Sequence, residues 1–168
     1  MYAFLDKTAG FLARTTAMIG GIVLLLLVAM TCLSIAGRSL SFIGLNQIKG
    51  DFELMELGVG FVIFSFLPWA QYSGGHARVD LFATVMPLWM NRLADVASDL
   101  LLLAIAVIVG WRLWLGMLDK KAYGETTFIL QWPVWEAYLS GLLGMSVFVI
   151  VALFCTLRST RSLFGGTP

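Results

Sequence analysis

Four stretches of this chain are too long and too apolar to belong to a small water-soluble domain. They fall at about 16–36, 52–72, 95–118 and 134–157, each close to the ~20 residues needed to cross a hydrocarbon layer ~30 Å thick. In lipid every backbone N–H and C=O must find its partner inside the protein, and separate apolar segments of this length achieve that as helices. The expected fold is therefore an all-α integral membrane protein of four transmembrane helices, read as a single membrane domain over 1–168 with both termini on one side. Composition agrees: 60% of the residues are hydrophobic and 12% are charged. The first apolar run follows Lys7 and Arg14 as a secretory leader would, but it is longer than a leader's ~7–15-residue apolar core, so it is read as a retained span.

Charge excludes one class of partner. Eleven basic and 10 acidic residues leave a net +1, too little to attract nucleic acid. Cys32 and Cys155 lie singly inside apolar segments and form no metal or disulfide pattern. Lys and Arg counts orient the chain. Cytoplasmic termini place Lys7, Arg14, Arg78, Arg92, Arg158 and Arg161 inside, and Arg38, Lys49, Lys120 and Lys121 outside. The six tryptophans, at 69, 89, 111, 114, 132 and 135, fall near the span ends, where aromatic anchors belong.

The connection between spans two and three carries the clearest local signals. Gly74 and Gly75 permit a sharp exit from span two. Asp80 can cap a short amphipathic helix bearing Leu81, Phe82, Val85 and Met86, lying in the membrane interface between helices two and three. Pro87 suits the first turn of the next helix, and no breaker follows before Leu118, so the third helix is expected to outrun the bilayer.

Ionisable groups near the spans need partners. Glu53 and Glu56 open span two, Arg38 closes span one, and Arg112 lies about two turns inside span three, so the expected pairs are Glu53 with Arg38 and Glu56 with Arg112. Asp95 and Asp99, one helical turn apart, read as packing or solvated groups in preference to a proton or cation relay. Ala17 with Gly21 and Ser140 with Gly144 have the small-xxx-small spacing of close helix contacts. No catalytic, metal or cofactor site is expected. His76 is the only histidine, and no phosphate loop, GxSxG elbow or HExxH sequence occurs.

The order of these features resembles the DctQ-like small membrane subunit of tripartite ATP-independent periplasmic (TRAP) transporters. The matching residues are Arg38 after span one, Glu53 opening span two, Gly74, Gly75, His76, Val79 and Asp80 in the loop, and Thr127, Leu130, Pro133, Trp135 and Tyr138 before the last span. The resemblance implies a non-catalytic subunit of a sodium-gradient-driven importer of an organic acid or similar small solute, in the bacterial inner membrane. Its partners would be a large permease subunit, which it braces, and a periplasmic binding protein, for which the loop at 120–135 is the candidate dock; the substrate site would lie on those other chains. His76 and Arg78 are candidates for contact with lipid phosphates or the large subunit's inner loops. A small four-helix membrane enzyme and a homo-oligomeric channel are the alternatives.

Overall fold

In a computed structural model, residues 2–75 and 88–163 are described. They form four α-helices, α1 (Tyr2–Ser39), α2 (Asp51–Tyr72), α3 (Leu88–Tyr123) and α4 (Val134–Leu163), with a short 3-10 turn at Ser41–Ile43 and no named strand among the described residues. All four helices are long and apolar enough to cross a membrane. The expected interfacial helix after Asp80, with His76 and Arg78, lies outside the described residues.

Helices α1 and α3 exceed their apolar segments by the most. The third does so as expected: its 36 residues span roughly 54 Å at ~1.5 Å per residue. The first does so unexpectedly, because its 38 residues include the polar stretch before Thr16. That extension is packed structure. Ala9 and Ala13 are buried against Val151, Phe154 and Cys155 of α4, and Tyr72 donates a 3.2 Å hydrogen bond to Asp6.

The α1–α2 seam follows a seven-residue beat. Gly20, Leu27 and Ser34 on α1 meet, in antiparallel order, Ser65, Gly58 and Asp51 on α2, and seven residues further along each helix Tyr72 packs against the cluster that holds Ala13. Both helices thus step by seven, the repeat of knobs-into-holes packing with a left-handed twist. Small residues set the spacing: a Cβ on Gly20 would stand 2.7 Å from Ser65 Cβ. The expected Ala17–Gly21 stripe is off this seam, since a Cβ on Gly21 would meet nothing within 4 Å. On α4 the close contacts come from Gly144, as expected, and from Gly141 in place of Ser140.

Helix α4 is the centre of the molecule. Half of its most apolar window is buried, against 17–22% for the other three helices. One face packs with α1 and α2 through Val151, Phe154 and Cys155; another meets Ala106 of α3 through Met145 and Phe148. Pro68 lies beside a close approach of α4 to the α2 backbone. Proline has no N–H for the carbonyl four residues back, here Phe64, and Gly144 of α4 comes so near that a Cβ would lie 2.8 Å from that oxygen. Helices α2 and α3, by contrast, flank α4 without bringing any pair of α-carbons within 8 Å among the described residues. The result is an open arrangement with α4 as its spine.

Candidate interface with partner subunits

The far end of the molecule, away from residues 2 and 163, is organised by Glu53. Helix α3 stops at Gly124, whose φ of 61° places it in the left-handed region, with Gly124 N–H on Lys121 O and Glu125 N–H on Lys120 O. This pairing is the double cap of a Schellman end. The chain then turns back tightly. Thr127 N–H donates to Trp132 O and Val134 N–H to Glu125 O, at 2.9 and 3.0 Å, and Trp132 N–H donates to Thr127 Oγ1 at 3.0 Å. At the tip, the amides of Ile129 and Leu130 donate to the two carboxylate oxygens of Glu53, at 2.7 and 2.9 Å. Leu130 lies over Gly50, where a Cβ would stand 2.6 Å from Leu130 Cγ.

This geometry gives physical roles to the residues that stood out in sequence. Thr127, Leu130 and Glu53 shape and pin the turn, while Pro133 leads into α4 and its carbonyl accepts Glu136 N–H at 3.2 Å. Lys121 lies over the Trp135 ring, 5.2 Å from its centroid, and Tyr138 packs on Gly116 of α3. Lys120 and Glu125 form a 2.6 Å ion pair. The tip itself faces outward: Phe128 is 95% exposed and Ile129 61%.

Neither expected ion pair forms among the described residues. The Glu53 carboxylate is occupied by the two loop amides, so Arg38, exposed in the last turn of α1, is not its partner. Glu56 and Arg112 sit on α2 and α3, the two helices that do not pack together. Backbone amides, which every residue carries, leave no mark in the sequence as competing partners for Glu53.

The opposite end is held by a different carboxylate. Asp99 of α3 accepts Gln71 Nε2 of α2 at 2.8 Å and the Ser159 hydroxyl of α4, while its backbone oxygen accepts Thr156 Oγ1 at 3.3 Å. Gln71 is 4% exposed; its carbonyl Oε1 is buried with no hydrogen-bond partner. Arg158 lies over the Tyr72 ring at 5.9 Å. Asp99 is thus a packing hub, the reading preferred from sequence. Helix α2 then ends as its two glycines require: Gly75 N–H reaches Ala70 O at 2.8 Å and Gly74 N–H reaches Gln71 O at 3.3 Å, with Gly74 at φ 66°, again a Schellman end. Residues missed in sequence, namely Ser34, Asp51, Gln71 and Ser159, are ordinary polar side chains; the seven-residue spacing of Ser34 from Leu27 and Gly20, and of Asp51 from Gly58 and Ser65, is the one local signal that marks two of them. No group of three or more His, Cys, Asp or Glu side chains able to hold a metal occurs among the described residues.

The family model for tripartite ATP-independent periplasmic transporters, DctQ component, matches residues 27–162. The chain belongs to the DctQ family. The matched region runs from the second half of α1 to the last turn of α4, so it contains Glu53, the Gly74–Gly75 helix end and the pinned turn. No curated protein and no solved structure matches the chain. As a DctQ component the chain is the small membrane subunit of a TRAP transporter: a non-catalytic, multi-pass protein that associates with a large permease subunit and a binding protein.

Proposed function

We propose that this DctQ subunit braces the large permease of a sodium-gradient-driven importer of an organic acid or similar small solute, and that its far-end turn helps to dock the binding protein. The turn carries the proposal. An apolar tip, Phe128 and Ile129, is held outward on a backbone-to-Glu53 clamp, and rigidly presented aromatic residues are the usual anchors of protein interfaces. In this reading the chain lies in the bacterial inner membrane with its termini in the cytoplasm, so the turn faces the periplasm.

Bracing draws on the open architecture. A spine helix flanked by helices that leave broad apolar faces, such as Leu25, Leu26 and Leu33 on α1 and Leu101, Ile108 and Trp111 on α3, offers surface to a second membrane protein. Arg38 and Arg112, neither of which forms an ion pair with Glu53 or Glu56 among the described residues, are proposed as charged contacts within that assembly. His76, Arg78 and Asp80 are proposed to meet the large subunit or lipid phosphates on the cytoplasmic side. Glu53, Gly74, Gly75, Pro133, Trp135 and Tyr138 are proposed to act by shaping the two ends.

Gentle detergent extraction of the tagged chain, with mass spectrometry of what accompanies it, tests the assembly. The expected result is a large permease at equal stoichiometry, with recovery reduced by the His76→Ala, Arg78→Ala double variant. Recovery only as a homo-oligomer would overturn the bracing role. For docking, Phe128→Ala with Ile129→Ser should lower solute uptake while leaving the membrane complex intact; unchanged uptake at limiting binding protein would remove the turn from the docking surface.

A further inference from the structure

Between α2 and α3, where the helices fail to meet, lies a cleft of about 710 Å³ with α4 as its back wall. Its volume falls within the ~300–1,000 Å³ of sites that enclose a small molecule. Its chemistry is graded along the membrane normal. Glu53, Glu56, Lys120 and Glu125 stand at the mouth, while Gly60, Phe64, Leu113 and Gly141 form an apolar floor. Gly60 and Phe64 lie one and two turns below Glu56 on α2, roughly 6 and 12 Å deeper at ~1.5 Å per residue. Charges at headgroup depth above an apolar slot at acyl-chain depth complement an amphiphile; a water-soluble solute would leave the floor unused.

The sign of the mouth narrows the headgroup. Three carboxylates face one ammonium. The Glu53 carboxylate is engaged by loop amides and Lys120 by Glu125, whereas Glu56 makes no hydrogen bond or ion pair among the described residues. An exposed, unpaired carboxylate at headgroup depth complements a cationic group, and the excess negative charge disfavours a purely anionic headgroup. We propose that the cleft holds one zwitterionic aminophospholipid, its ammonium on Glu56, its phosphate toward Lys120 and an acyl chain along Phe64 and Leu113. The lipid then occupies the space left open because α2 and α3 do not pack directly. The inference rests on the chain spanning a bilayer within its membrane complex and is independent of the proposed solute, sodium coupling and docking turn.

The test uses the intact membrane complex in nanodiscs of equal phosphatidylethanolamine and phosphatidylglycerol, followed by native mass spectrometry. One phosphatidylethanolamine per DctQ chain is expected to survive release conditions that strip bulk lipid. Glu56→Gln should lower that retention about tenfold, the loss expected for one charge-assisted hydrogen bond, and abolish the preference over phosphatidylglycerol. Gly60→Leu, at a position where a Cβ meets nothing within 4 Å, should fill the floor and displace the lipid with an unchanged melting temperature. Equal retention of the two lipids by the wild type, or retention indifferent to Glu56→Gln, overturns the proposal. So does crosslinking of a Gly60→Cys variant to a helix of the large subunit with no lipid retained, which would make the occupant a protein.

Discussion

The two ends of the α2–α3 pair are built on opposite plans. Near residues 2 and 163 a side-chain clasp, Gln71 to Asp99 to Ser159, ties α2, α3 and α4 together. At the far end no side chain of α2 bonds to α3 among the described residues; the tie runs indirectly, from Glu53 through the backbone of the 124–133 turn. In lipid, apolar surfaces gain little by meeting one another, so association rests on close packing and on polar links. One end of this pair is specified by side-chain chemistry, while the other is left open enough for a cleft and spanned by a turn that can face a partner.

The largest effect is expected at the point both ends share. Gly144→Val would drive a side chain into the Phe64 carbonyl, and overpacking against backbone should cost about 3 kcal/mol, read as loss of the folded subunit in thermal unfolding in detergent. Next comes the clasp. Asp99→Ala strands the buried Gln71 amide and should cost about 2 kcal/mol, whereas Asp99→Asn, which can still accept from Gln71, should cost under about 1 kcal/mol. Equal losses from the two would mean that charge, not hydrogen bonding, holds that end.

Glu53→Ala should act locally. Hydrogen exchange at the Ile129 and Leu130 amides should quicken several-fold while exchange around Asp99 stays unchanged; a change at both ends would mean that they are coupled through α4. The smallest effect sharpens the seam itself. Gly21→Ala, in open space, should leave stability within about 1 kcal/mol of the parent or raise it slightly, whereas Gly20→Ala, with Ser65 Cβ 2.7 Å away, should lower the melting temperature. Similar results for both would contradict the seven-residue register.

Much of this was written in local chemistry. Gly74, Gly75 and the apolar segment before them specify both a helix and its end, because a left-handed residue and a spent apolar run act within a few positions of each other. The turn residues Thr127, Leu130 and Pro133 stood out for the same reason. Residues 2–15 did not, because Asp6, Ala9 and Ala13 are held by Tyr72 and α4, and the Asp6–Tyr72 pair is already 66 positions apart.

Four spans, their helical state, the over-long third helix and membership of a transporter-subunit family were determined by the sequence alone, since hydrocarbon thickness and backbone hydrogen bonding act on each segment separately. Which carboxylate meets which donor was decided only by the tertiary structure. Glu53 and Asp99 are alike in sequence terms, yet one receives two loop amides and the other a glutamine and a serine. A hydrogen bond depends on positions fixed to a few tenths of an ångström, and those positions follow from how Gly144 meets Phe64 and how α4 keeps α2 and α3 apart.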